Sequence, residues 1–274
     1  MRYFLKLGYC GAAFHGWQRQ PNARSVQQTL EEALSTLLRR PVEITGAGRT
    51  DTGVNARVMY AHFDTEEPMA DKERFIRSLN RFCERDIAVG DLIEVADDAH
   101  ARFDATSRTY KYFVAFRKDP FLWRYSWQSR PLDIEAMNEA AKLLLETSDF
   151  TSFAKLHSDN KTNICRVTEA RWKPIEGMIG DSRENGIIGA GDSETGCAGA
   201  VFTITADRFL RNMVRAVVGT LVEVGRGKMD TGGFAAVIEG RSRSLAGTSM
   251  PGEALFLWNV TYPYLPDEVT GRCR

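Results

Sequence analysis

The order in which hydrophobic periods change along the chain restricts its fold more than any other feature. Residues 2–9 alternate, with Tyr3, Leu5, Leu7 and Tyr9 on one side of a strand and Arg2, Phe4, Lys6 and Gly8 on the other. Ser25, followed three residues later by Gln28, forms a capping-box signature opening a helix that carries Val26, Leu30, Leu34, Leu37 and Leu38. Strand patterns at 42–45 and 58–63, a helix marked by Phe75, Ile76, Leu79 and Phe82, and a short strand at 92–95 complete a β-α-β-β-α-β series. The same series then returns. Tyr110, Tyr112, Val114 and Phe116 alternate, and Asp133 caps a helix with Ile134, Met137, Ala141 and Leu144. Strands near 164–172 and 201–205, a helix over about 209–224, a shorter one around 234–238 and a last strand at 255–262 follow.

Two passes through this order predict an α+β chain of two ferredoxin-like lobes with antiparallel sheets, over 1–104 and 105–274. No sequence repeat accompanies the pattern, so the duplication is one of elements alone. The second lobe carries a glycine-rich insertion at 177–199, which reads as a mobile surface loop. Its acids Asp181, Glu184, Asp192 and Glu194 do not follow the order of a calcium-binding loop.

With 274 residues, 43% of them hydrophobic, the chain can bury a substantial core. Lys plus Arg and Asp plus Glu number 36 each, so no net field attracts nucleic acid, and a phosphate-binding face has to come from local clusters. The N-terminus lacks the apolar run of a signal peptide and no stretch is long enough to span a membrane, which reads as a soluble, cytoplasmic protein. Five scattered cysteines without a C-x-x-C pair fit a reduced compartment. His15, His62, His100 and His157 lack ligand spacing, so no metal is expected.

The densest cluster of special residues is Gly46-Ala47-Gly48-Arg49-Thr50-Asp51-Thr52-Gly53, in the connection between two first-lobe strands. A dinucleotide fingerprint fails, because Asp51 stands where its third glycine belongs. Asp51-Thr52-Gly53 spells the D-T-G of aspartic proteases, but a second copy would have to come from a homodimer. The third reading is a lone catalytic carboxylate in a glycine-rich loop. Against all three stands an aspartate that merely hydrogen-bonds its own turn.

Gly46 to Val54 closely resembles the catalytic motif of the tRNA pseudouridine synthase A family. Further matches run along nearly the whole chain: Tyr9-Cys10-Gly11 with Phe14-His15-Gly16-Trp17-Gln18-Arg19-Gln20, His100-Ala101-Arg102-Phe103 with Arg108-Thr109-Tyr110-Lys111-Tyr112, and Phe209 to Arg215 with Gly219-Thr220-Leu221. The chain departs from the pattern at Asn55, where the family has His, at Val58-Met59, where it has a G-Q pair, and in a loosely kept closing segment, Thr248 to Pro251.

The resemblance implies two lobes around a central catalytic cleft, and isomerisation of uridine to pseudouridine in the tRNA anticodon stem-loop, at positions thirty-eight to forty, by a homodimer without cofactor. It places Asp51 as the catalytic carboxylate, Tyr110 as a ring against the uracil and Arg215 as the compensating cation. Arg208, Arg211 and Arg215 fall on one face of the expected helix, which supports that choice or describes a solvated stripe. Arg49 and Thr50 are candidate contacts to phosphate or ribose, with Arg19, Arg24, Arg102, Arg108, Arg211, Arg226 and Lys228 as a wider RNA face. A different class of answer, an RNA-binding protein without catalysis, fits the same lobes.

Overall fold

The computed structural model describes residues 1–155, 161–175 and 198–266. Most of the insertion at 177–199, and His157, fall outside the described residues. The chain is α+β, with mostly antiparallel strands, and its contacts group it into two compact units: Met1–Thr109 with the chain from Leu257, and Tyr110–Phe256. The first unit thus extends past residue 104, where the sequence reading closed it, and takes back the C-terminal strand.

In the first unit, β1 (Arg2–Tyr9) lies between β4 (Ile87–Val95) and β3 (Asn55–Asp64), antiparallel to both. Tyr3, Leu5, Leu7 and Tyr9 are buried as the alternation predicts. Phe4, on the opposite face, is buried too, in a ring cluster with Tyr60, His62, Tyr262 and Tyr264 at 5.2–6.4 Å between centroids. Helix α1 (Val26–Leu38) buries Val26, Leu30, Ala33 and Leu34. Half of its capping box forms: Ser25 Oγ accepts from Gln28 N–H at 3.2 Å, while the Gln28 side chain turns to Glu32 instead of reaching back. Helix α2 (Lys72–Phe82) is capped by Asp71 and tied to β4 by Asn80, whose amide exchanges two 2.8 Å bonds with the Val89 backbone.

The strand expected at 42–45 shrinks to β2 (Thr45–Gly46), paired with β3. Val42 and Ile44 are buried, as a strand pattern requires, but their backbone N–H groups go to α1 side chains: Val42 to Ser35 Oγ at 2.9 Å and Ile44 to Glu31 Oε1 at 3.2 Å. Helix side chains have taken the partners that a ladder would supply.

In the second unit, β8 (Gly199–Ala206) lies between β5 (Ser107–Ala115) and β7 (Val167–Ile175), the strand arrangement of a ferredoxin-like half. A two-residue strand, β6 (Trp127–Gln128), runs parallel to β5 and has no counterpart in the sequence reading. Helix α3 (Ile134–Glu146) is capped by Asp133 as expected and buries Met137, Ala140, Ala141 and Leu144. Helix α4 (Met213–Gly225) is almost wholly buried and α5 (Thr231–Glu239) is capped by Asp230, while β9 (Leu255–Thr261), the last strand of the chain, belongs from Leu257 onward to the first unit. Contrary to the sequence reading, α4 begins at Met213, because Asn212 takes a left-handed conformation at φ 66° and breaks the helical run. Arg208 and Arg211 therefore precede the helix, and the single-face arginine stripe is not formed.

Candidate active site

The Asp51 loop is an irregular segment locked by another irregular segment. Its base is closed by pairing of Gly46 with Ala61 and by Ala47 N–H donating to Tyr60 O at 2.8 Å. At its far end Val54 N–H donates to Asp51 O at 3.2 Å, a turn whose third residue, Gly53, has φ +77°, which glycine adopts without steric cost. Asp51 is therefore the first residue of a tight turn, and it is half-buried.

Residues 10–17 form the wall against which the loop rests. Trp17 N–H donates to Thr50 O at 3.3 Å, Gly53 N–H to Phe14 O at 3.4 Å, and the Tyr9 hydroxyl pairs with Thr50 Oγ1 at 2.8 Å. A Cβ at Gly16 would collide with the Thr50 carbonyl oxygen, and one at Gly11 with that of Val54. The glycines in this stretch exist for close approach of two backbones. Asn55, which departs from the family pattern, is buried and accepts from Gly11 N–H at 2.9 Å, so it serves the same wall. The carbonyls of Gly16 and Trp17 accept from Val26 and Gln27 N–H, at 3.2 and 3.0 Å, satisfying first-turn donors of α1.

Arg49, two residues before Asp51, is exposed but steered. Its Nε donates to Gln18 Oε1 at 3.0 Å, Gln18 Nε2 to Gln27 Oε1 at 3.1 Å, and Gln27 Nε2 to Glu31 Oε1 at 2.9 Å. Glu31 is buried, accepts also from Ile44 N–H, and pairs with Arg19 at 3.3 Å. This amide relay was missed by sequence reasoning. Half of it was visible there, since Gln27 and Glu31 stand four apart on one helix face. Beside the relay lies a cavity of about 110 Å³ whose lining includes Trp17, Gln18, Gly48, Arg49 and Arg102.

The other cations expected on an RNA face differ in what holds them. Arg102 is exposed. Arg108 donates to three carbonyls, Arg102 O at 2.5 Å, Ala105 O at 2.8 Å and Ala47 O at 3.0 Å, stapling the 102–105 turn to the base of the Asp51 loop. Arg24 pairs with Glu84 and lies 5.3 Å from the Phe14 ring centroid; the hydrogen bond to Glu84 raises its pKa. Arg226 and Lys228 both pair with Glu223. His62 is buried on β3, and its Nδ1 accepts from Ala101 N–H at 3.1 Å; burial depresses its pKa to about 4. His100 Nδ1 accepts from Arg102 and Phe103 N–H, so both rings are built into the fold.

Tyr110, Arg211 and Arg215 belong to the second unit. The buried Tyr110 ring meets Phe209 edge to face at 5.0 Å. Arg215, half-buried in the first turn of α4, donates from Nε to Met250 O at 2.5 Å, while Met250 N–H donates to Arg215 O at 3.1 Å. The residue before Met250 is held in turn: Asn212 Nδ2 and Arg243 Nη2 both donate to Ser249 Oγ, at 2.6 and 2.8 Å. Arg211 is exposed in the turn before the helix. Burial pushes the Tyr112 phenol up, so it stays protonated at any working pH.

The chain matches the family model described as tRNA pseudouridine synthase over residues 8–104 and 140–263. It is 55% identical over 264 residues to the tRNA pseudouridine synthase A of Parabacteroides distasonis, covering 96% of each chain. To the protein of that name from Bacteroides thetaiotaomicron it is 54% identical, covering 96% of this chain and 91% of the other. To that of Exiguobacterium sp. it is 35% identical, over 95% and 98%.

Proposed function

Because this chain belongs to the tRNA pseudouridine synthase family and isomerises uridine to pseudouridine in tRNA, we propose that the Asp51 carboxylate carries the reaction, with Tyr110 and Arg215 completing the catalytic set. The reaction breaks the bond from ribose C1′ to N1 and makes one from C1′ to C5. C5 loses a proton and N1 gains one, so nothing is oxidised and no redox group is called for. A carboxylate suits such a task when its position is fixed before the substrate arrives. The observation that carries the assignment is the locking of the Asp51 turn, by Gly53 from within and by the 10–17 wall from outside.

The remaining roles follow from chemistry and resemblance. The Tyr110 ring offers a face to the uracil as it turns, a contact that demands no particular hydrogen-bond pattern. Arg215, whose Nε is held by Met250 O, is the cation that the resemblance assigns to the catalytic set. Arg49, Thr50 and Arg102 hold the backbone of the everted nucleotide, and Arg211 extends the contact. Arg108, Arg19 and Arg24 act by supporting the loops. The substrate is a uridine of the anticodon stem-loop, and the protein works as a cytoplasmic homodimer, as the resemblance implies.

Asp51→Asn tests this directly, by tritium release from C5-labelled uridine in tRNA. The expected loss of kcat is at least about a thousandfold with unchanged melting temperature and tRNA affinity. Retained turnover would transfer the chemistry to another group. Pseudouridine mapped outside the anticodon arm of a wild-type reaction would sink the site assignment and leave the activity standing.

A further inference from the structure

Residues 105–139 lie between the two stretches that the family model matches, and they hold the strongest concentration of exposed rings in the described chain. Phe121, Trp123 and Tyr125 are 57%, 63% and 39% exposed within five residues. The segment that carries them, 117–130, sets four cations, Arg117, Lys118, Arg124 and Arg130, against the single carboxylate of Asp119. The whole chain has no net charge, so this is a local concentration of positive charge.

The segment holds itself in place. Asp119 Oδ1 accepts from Phe121 N–H at 2.8 Å, Leu122 O accepts from Tyr125 N–H at 2.8 Å and from Ser126 Oγ at 2.9 Å. The chain then pairs with β5 through Trp127–Gln128, and Ser129 N–H donates to Ala115 O at 2.9 Å. Exposing large rings on a fixed frame costs hydration free energy without relief from local disorder, which marks a contact surface. A cavity of about 200 Å³ opens here, with Trp123 and Trp127 in its walls and Arg117, Asp119, Gln128 and Glu253 around it. Arg124 lies 5.0 Å from the Trp123 ring centroid and Arg226 lies 5.3 Å from that of Trp127.

We infer that residues 117–130 form a second RNA-contact surface, whose cavity receives an unpaired base of the tRNA. Base faces stack on exposed indoles, and guanidinium groups beside those rings meet the adjoining phosphates. The carboxylates of Asp119 and Glu253 repel a phosphate from the cavity itself and accept from base N–H groups, so the base enters and its backbone stays outside on Arg117, Lys118 and Arg124. A second copy of this chain is the poorer occupant. Four cations against one carboxylate complement a polyanion, which RNA is and this chain, with no net charge, is not.

The inference rests on tRNA as the substrate and not on the roles given to Asp51, Tyr110 or Arg215. Trp123→Ala, assayed on a full-length tRNA transcript, is expected to raise KM about 5- to 100-fold with kcat changed less than about twofold, and Trp123→Phe to restore most of it. Arg117→Gln with Arg124→Gln should lower the slope of log KM against log salt by about one to two. This double variant leaves Trp123 in place and gives the answer should the Ala variant fold poorly. An unchanged KM and salt slope would overturn the inference. So would a shift in oligomeric state on sedimentation of Trp123→Ala, which assigns the surface to a second copy. Turnover of tRNA by the wild-type protein, measured alongside, keeps either failure separate from the isomerase reading.

Discussion

The Asp51 loop and the Arg215 helix turn are both held by hydrogen bonds, and they are held by opposite means. The loop has almost no regular structure and borrows its shape from residues 10–17, through backbone bonds that glycines make possible. Arg215 stands on a helix whose interior is nearly all buried, and its guanidinium is tied to one backbone carbonyl. The contrast teaches where damage should appear. A distortion of the loop is expected to cost geometry first, because backbone bonds to residues 10–17 set its shape; a distortion of α4 is expected to cost stability first.

Added methyl groups give the widest separation of the two cases. Gly219→Ala gains helix propensity, yet its Cβ would collide with the Thr248 carbonyl oxygen, two residues before Met250. The expected loss is about 2–3 kcal/mol of stability, read by chemical denaturation, with kcat falling in step with the fraction unfolded. Gly16→Ala faces φ +89° and the Thr50 carbonyl, and is expected to lower kcat at least about tenfold while costing about 1–2 kcal/mol. Equal effects on stability and rate at both sites would erase the distinction.

Acid should loosen the first region selectively. His62 pairs with Thr45 at the base of the Asp51 loop, and burial holds its folded pKa near 4 against 6.5 unfolded. The unfolded chain then takes up the proton first, so stability falls as pH drops from about 6.5 towards 4 and is unaffected by this group outside that window. The total is on the order of 3 kcal/mol. Urea titrations at pH 7 and 4.5 should show a larger decline for the wild type than for His62→Gln; parallel declines would remove His62 from the account.

The smallest effect concerns the amide relay. Gln27→Met interrupts the link from Arg49 through Gln18 to Glu31 while keeping the side chain's length. An increase in KM of about 3- to 10-fold at constant kcat is expected, and it should be non-additive with Arg49→Lys by about 1 kcal/mol. Additive effects would mean that the relay does not position Arg49. Gln27→Glu, which keeps the acceptor for Gln18 but sets a second carboxylate against Glu31 Oε1 and the Ile44 carbonyl, should not restore KM, which separates the relay from simple packing.

Much of the fold was legible because hydrophobic period is a local property. The alternation of Tyr3 to Tyr9 and the caps at Ser25 and Asp133 appear where the chain pattern puts them. The misreadings share one cause. Val42 and Ile44 have the spacing of a strand, but Ser35 and Glu31 take their backbone donors. Arg208 and Arg211 have helical spacing from Arg215, but Asn212 breaks the helix ahead of Met213. Among the cations, Arg49 and Arg108 are equivalent residue types in the sequence. Nothing local distinguishes a guanidinium steered by Gln18 at a cavity from one consumed by three carbonyls.

By itself the sequence determined the order of elements, the placing of a lone aspartate among glycines, and the family to which those residues point. The tertiary structure alone decided which glycine faces which carbonyl, which arginines brace loops, and that the rings of 121–125 stay exposed on a fixed frame. The physical reason is that apolar periodicity is written into neighbouring residues, whereas each polar backbone group takes its partner from whatever the folded chain brings within hydrogen-bond reach.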